Sequence, residues 1–345
     1  MDDIARRPAA DRRTYFEQAT AQFRRLDPQL MEKDFWVCWV LRRVFELPDF
    51  REHLTFKGGT SLSKVYRIIE RFSEDVDLSI EREFLGFGGD HEPELGATGK
   101  EQQRRIDGLR TACQTAISTR LLPQLRDSIS TQLGAAESWS LTLADDDPDA
   151  QTLLFQFPPA IPGLIHQYFA PAVRLELGAR SDHFPVETGV IQPYLAEALP
   201  HALDDSTVTV RVLSAQRTFW EKATILHALH HQAAEKPLQP RMSRHYYDVV
   251  QLAVHPQGQQ ALARRDLLAR VVAHKSVFFK TAAARYDEAK PGSLRLIPPD
   301  WRLPELRADF AAMQPMFFST VPTFESLIAR LRRLETEING SLQAQ

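Results

Sequence analysis

FKGGTSLSKVYRIIERFSEDVDLSI, residues 56–80, sets a glycine pair between an apolar strand pattern and a helical one, and closes on two aspartates separated by one valine. Leu62, Val65, Tyr66 and Ile69 recur at i, i+3, i+4 and i+7, which predicts a helix over 61–70 lying on a sheet. The stretch 54–80 then reads as strand, Gly-Gly turn, helix, short loop, strand. Alternate residues of a strand share a face, so Asp75 and Asp77 project together with Cα atoms ~6.6 Å apart while Val76 and Leu78 turn to the packing. Two like charges on one face raise each other's proton affinity unless a cation compensates, and hard divalent ions with oxygen ligands are the usual compensation. The alternatives are a solvated sheet face or pairing with Arg71 and Arg82.

Outward from this stretch, helical spacing covers 13–26 and 30–47, the second carrying Phe35, Trp36, Trp39, Val40 and Val44. Residues 86–99 hold five of the fifteen glycines among several acids and read as a flexible surface loop. Helical period returns over 101–134, strands follow at 141–143 and 152–157, and VRLELGA, 173–179, alternates so that Glu176 stands on a polar face. Beyond about 210 the chain reads as helical at 214–233, 241–254, 259–286, 304–314 and 321–338. The expected fold class is α+β: a small mixed β-sheet core with flanking helices in 1–205, followed by a mainly α-helical C-terminal domain in 206–345.

The 345 residues, 43% hydrophobic and 25% charged, are ordinary globular composition. A formal charge of −3 supplies no global basic field, so contact with nucleic acid requires a local basic surface. Two cysteines, Cys38 and Cys113, argue against a disulfide framework or a thiolate zinc site. The charged N-terminus and the lack of any apolar run of about 18 residues lead to the expectation of a cytoplasmic protein without a membrane span.

Gly58, Gly59, Thr60 and Ser61 stand where a strand passes into a helix, and backbone N–H groups at a helix start attract phosphate oxygens. Such turns also arise for steric reasons, and no Lys-Ser/Thr closes a Walker frame here. Lys57 is either a phosphate contact or a solvated strand end. With Asp75 and Asp77 on the following strand, the group suits a nucleoside triphosphate held against two magnesium ions, Glu176 being the third ligand if its strand lies alongside. Lys222 has Phe219, Ile225 and Leu226 around it on its helix, so it faces inward and needs an anion, either a nucleotide phosphate or, in an internal salt bridge, a carboxylate of the first domain. Asp248 has Arg244 four residues before it, which permits a surface pair. Trp220 reads as core rather than a base-stacking platform. His227, His230, His231 and His245 raise the question of zinc, but no thiolate or H-E-x-x-H frame accompanies them, and a solvated, RNA-facing helix surface is the preferred reading. Arg217, Lys236, Arg241 and Arg244 would make 217–245 a local basic surface; RLRRLE, 330–335, reads as an amphipathic helix.

An apolar residue, Gly-Gly and then Asp-apolar-Asp resembles the DNA polymerase β-like nucleotidyltransferase superfamily, and KGGTSLSKVYRIIERFSEDVDL, 57–78, is similar to the AbiEii/AbiGii-type toxins of bacterial abortive-infection and toxin–antitoxin systems. RTFWEKATIL, 217–226, and RHYYDVVQL, 244–252, resemble that family's downstream lysine and aspartate motifs in the expected order, extending the likeness over about 30–335. The resemblance implies a metal-dependent enzyme moving a nucleoside monophosphate from an NTP to RNA, with the tRNA 3′ end as acceptor, and a cognate antitoxin as partner. It gives Asp75, Asp77 and Glu176 to magnesium and Lys222 to the triphosphate. Asp248 is implied to help position metal or nucleotide, and Arg71 and Ser73, in R-x-S-x-D-x-D, to orient the turn or touch phosphate. The chain is expected to act as a monomer. Alternatives are transfer to a small molecule or to protein side chains, a catalytically silent binding module, and zinc hydrolysis through the histidines.

Overall fold

Period-two alternation in LTFK, DVDLSI and AVRLELG builds strands, and several helices start at a side chain, among them Asp27, Thr98, Ser214 and His255, that accepts from one of the first exposed N–H groups. The computed structural model describes all residues except 24–25, 74, 135–137, 162–170 and 341–345. In chain order come α1 (Asp2–Ala5), α2 (Ala9–Gln22), α3 (Pro28–Phe45), β1 (Leu54–Lys57), α4 (Gly58–Lys64) and β2 (Asp75–Ile80). Next are α5 (Gly99–Ala116) and α6 (Leu122–Leu133), then β3 (Ser140–Leu143), β4 (Thr152–Gln156), β5 (Ala172–Gly178), β6 (Val186–Ile191), α7 (Tyr194–Ala198) and β7 (Val208–Leu213). The helices α8 (Ala215–His230), α9 (Ser243–Val254), α10 (Pro256–Ala263), α11 (Arg265–Phe278), α12 (Leu303–Ala312) and α13 (Phe324–Gly340) complete the chain.

The chain divides into two units, one of Met1–Val65 with Phe72–Val212, the other of Tyr66–Arg71 with the helices from Leu213 onward. In the first, seven strands among the described residues form one mixed sheet in the order β3-β4-β5-β2-β1-β7-β6. β2 runs antiparallel to β1 with Lys57 opposite Asp77, and parallel to β5 with Asp75 beside Arg174 and Asp77 beside Glu176. Register partners share a face, so Phe56, Val76, Leu78, Leu153, Phe155 and Leu175 form a fully buried apolar layer, and Lys57, Asp75, Asp77, Arg174 and Glu176 share the opposite, polar one.

Helix α3 packs on the apolar layer. Asp27 caps it by accepting from Leu30 N at 2.9 Å, Pro28 occupies its first turn, and Trp39 and Trp36 stack on Phe155 and Phe157 at 5.8 and 5.5 Å between ring centres. Each stacked pair adds about 0.5–1.5 kcal/mol beyond its buried area. In the second unit α8 lies against α9, α10 and α11, and α12 and α13 lie against α9.

Four departures from the sequence reading have physical causes. The helix expected over 61–70 ends at Lys64: Arg67 takes φ +55°, Tyr66 donates its hydroxyl to Leu213 O, Glu70 O accepts from Phe318 N, and Arg71 forms a β-bridge with Phe317. These partners replace the helical bonds that the Leu62–Ile69 stripe suggested. The helix expected over 259–286 breaks into α10 and α11 at Arg264, whose ψ of 64° is not helical, and stops at Phe278. The glycine-rich stretch at 86–99 is pinned, by Arg82 on Glu94 and by Arg105 on the carbonyls of Asp90 and Glu92. Strands β6 and β7 lie where the sequence reading had placed none.

Candidate functional site

Asp75 and Asp77 occupy alternate positions of a strand whose burial alternates with them, so both carboxylates stand on the polar face. Lys57 Nζ lies 3.6 Å from Asp77 Oδ1, an intramolecular cation beside the pair. Glu176, level with Asp77 on β5, has its pKa pushed up to about 7 by burial and then by the charges of Asp75 and Asp77. Arg174, level with Asp75, is held at 3.1 Å by Asp146. Sequence reading passed over Arg174, although its place two residues before Glu176 in an alternating strand was the available signal.

Above the carboxylates sits the turn into α4. Gly58 has φ +78°, and a Cβ built there would lie 1.8 Å from Asp77 Oδ2, so both the backbone and the nearness of Asp77 demand glycine. Gly59 is buried in the first turn of α4. The Thr60 hydroxyl donates to the carbonyls of Asp75 and, at 3.4 Å, Ser73; Ser61 donates to Gly58 O at 2.9 Å. Each hydroxyl proton is thus engaged by the backbone: Thr60 ties the turn to the start of β2, and Ser61 closes the turn on itself. Gly58→Ala is expected to cost about 1–2 kcal/mol from the left-handed backbone alone and to displace Asp77. Thermal unfolding and labelled-NTP transfer should both fall, and unchanged values in both would refute the close approach.

Glu176 sets a pH dependence. Its folded pKa lies above its ordinary 4.5, so the folded state binds more protons between about 4.5 and 7, and its contribution to stability declines as pH rises through that window. In metal-free denaturant titrations from pH 4.5 to 8 the stability of Glu176→Gln relative to wild type should rise with pH. A constant difference would exclude the shift.

The second unit holds its own charged cluster. Asp248, fully buried on α9, accepts from Arg71 Nε at 2.8 Å and Nη2 at 2.7 Å, with Lys222 Nζ at 2.9 Å. Burial alone would raise the Asp248 pKa, but the Arg71 and Lys222 charges outweigh it and hold the carboxyl well below its usual range. This corrects three expectations: Asp248 is not a surface partner of Arg244, Arg71 pairs with Asp248 rather than Asp77, and the carboxylate found with Lys222 lies in its own unit. Lys275, unremarked in the sequence, donates to Glu221 O at 2.9 Å, and burial pulls its pKa down to about 8.

The histidine-rich segment is internal scaffolding. His227 Nδ1 accepts from Arg295 N and its Nε2 donates to Arg285 O, both at 3.0 Å, while His230 Nδ1 donates to Ile297 O. His227 is fully buried with both ring nitrogens engaged, which corrects the solvated, RNA-facing reading and removes it as a zinc ligand. Trp220 is core, its indole N–H donating to Ala261 O, and Arg217 is buried with Glu221 at 3.2 Å, so it leaves the expected basic surface. Among the described residues no three His, Cys, Asp or Glu side chains are already arranged to hold a metal ion, Asp77 facing Lys57 instead. None of the described helices is long and apolar enough to cross a membrane.

A family model described as nucleotidyl transferase AbiEii toxin, type IV TA system, matches residues 39–330. Among solved structures the chain is similar to MenT4, a nucleotidyltransferase toxin from Mycobacterium tuberculosis H37Rv, at 14% identity over 86% of this chain and 98% of that one, with a TM-score of 0.36. No curated protein matches. With the family match spanning most of its length, the chain belongs to the AbiEii family of nucleotidyltransferase toxins of type IV toxin–antitoxin systems.

Proposed function

We propose that this nucleotidyltransferase is metal-dependent and transfers a nucleoside monophosphate from an NTP to RNA, at the tRNA 3′ end, so blocking translation until its antitoxin counteracts it. The observation that carries the metal reading is the line of three carboxylates on one sheet face, where burial and then the charges of Asp75 and Asp77 raise the Glu176 pKa to about 7. That donor set, all oxygen and all anionic, fits magnesium. Asp75 and Asp77, with Glu176, would hold two ions, which supply charge neutralisation at the phosphates and polarise the α-phosphate.

The chain's own groups do the rest. The backbone at Gly58 and Gly59 receives phosphate oxygens at the start of α4, Thr60 and Ser61 brace that turn, and Lys57 and Lys222 supply cationic charge. Arg71 orients Lys222 through their shared Asp248, and the Ser73 carbonyl accepts from Thr60 just before the aspartates. The RNA hydroxyl attacks the α-phosphate in line, the new P–O bond forming as the bond to pyrophosphate breaks and the hydroxyl proton is lost to solvent.

Purified protein incubated with total RNA, magnesium and each labelled NTP in turn tests the reading. The expected result is label in a tRNA-sized band with one preferred NTP, lost on chelation. Label in a small molecule or in protein would overturn the RNA acceptor, and transfer surviving chelation would overturn the metal.

A further inference from the structure

The polar face of the sheet does not end at the carboxylates. Beside them, at the β3–β4–β5 end, lies a cavity of about 680 Å³, a size typical of small-ligand sites. Its wall includes Arg174, the register neighbour of Asp75, so cavity and carboxylates share one strand pair. Its apolar lining, including Trp139, Leu154 and Phe157, offers flat surfaces, and Phe157 is fixed from behind by stacking on Trp36 at 5.5 Å and 13°. The ionised residues lining it, among those described, are Lys33, which is buried, and Arg174, which is paired with Asp146 at 3.1 Å. No carboxylate lines the cavity among the described residues, which disfavours a polycationic amino sugar. Ser140 donates to the Gln156 carbonyl at 2.8 Å, which orients that exposed amide and leaves its N–H groups for an acceptor such as a base edge.

We propose that this cavity is a subsite for an unpaired nucleobase of the RNA acceptor, upstream of the hydroxyl that is extended. The proposal rests on RNA being the acceptor. A base there packs on the apolar wall and hydrogen-bonds through Gln156, the mode by which single-stranded RNA is commonly gripped.

The test uses the full-length protein and a fluorescein-labelled single-stranded RNA pentamer ending in CCA, titrated by anisotropy without NTP or metal, and separately used as acceptor with magnesium and NTP. Leu154→Trp, which fills the cavity from a half-buried position, is expected to weaken binding and raise the acceptor KM by about 10-fold, and Gln156→Ala by about 3-fold. The NTP KM should stay at the wild-type value. Gln156 is exposed, so its replacement keeps the fold even if Leu154→Trp does not. Binding and acceptor KM unchanged in folded variants overturn the subsite while wild-type labelling of RNA keeps the acceptor reading. A rise in NTP KM instead also overturns it, by assigning the cavity to the incoming nucleotide. Absence of RNA labelling by the wild type overturns the acceptor reading itself, and the subsite with it.

Discussion

Asp75→Asn is expected to reduce nucleotidyl transfer by about 10³-fold or more, the scale of losing a charged group that holds the ions at the reacting phosphates. The fold should survive the change. Asp75 is half-exposed, its backbone carbonyl still accepts from Thr60, and asparagine keeps its shape on β2. Its charge, after burial, is the next cause of the elevated Glu176 pKa, so the mutant should also show Glu176 titrating lower. Labelled-NTP transfer, thermal unfolding and carboxyl NMR titration give three separate readouts. Lost activity with a native melting profile and a lowered Glu176 pKa supports the assignment. Transfer within about 10-fold of wild type would remove Asp75 from the metal set. Expression of the mutant should likewise relieve growth arrest, and arrest persisting with a dead enzyme would point to binding rather than catalysis.

The sheet face was legible because strand geometry leaves little freedom. Once DVDLS and VRLEL read as strands, Asp75, Asp77 and Glu176 had to alternate with Val76, Leu78 and Leu175; only the adjacency of β2 and β5, a long-range pairing, had to come from the structure. Strand β7 carried the same signal, with Val208, Val210 and Val212 buried between Thr209 and Arg211, but an assumed boundary near 205 assigned it to the helical half. Strand β6 gave less, since VETGVI is largely exposed and its apolar positions do not mark a core face.

Other features lie beyond local pattern. A helical stripe at Leu62–Ile69 cannot reveal that Leu213, Phe317 and Phe318 will compete for the same backbone and hydroxyl groups. The inward face of Lys222 was readable from its apolar neighbours, whereas its partner Asp248 looked ambiguous because Arg71 lies 177 residues away in sequence. The histidines failed as a surface for a related reason: the carbonyls and N–H groups that engage them come from 285–297.

Asp248→Ala is expected to destabilise the protein by about 3–5 kcal/mol at pH 7, because it leaves the Arg71 guanidinium and the Lys222 ammonium buried without their shared carboxylate. Lys222→Met should cost less, on the order of 1 kcal/mol, since the bidentate Arg71–Asp248 pair survives, yet it should abolish transfer if that ammonium serves the phosphates. The pH dependence follows from the sign of the shift. Asp248's folded pKa lies below its ordinary value, so its stabilisation is present above the unfolded pKa and is lost as pH falls through the folded one. Wild type should therefore lose stability on acidification through a component that Asp248→Ala lacks. Denaturant titrations at pH 7 and along an acid series, on both single variants and the double variant, measure the costs and the coupling of the pair. A loss below about 1 kcal/mol for Asp248→Ala would mean that water reaches the cluster and solvates the two cations, and the buried carboxylate would then no longer explain how Lys222 is held in place.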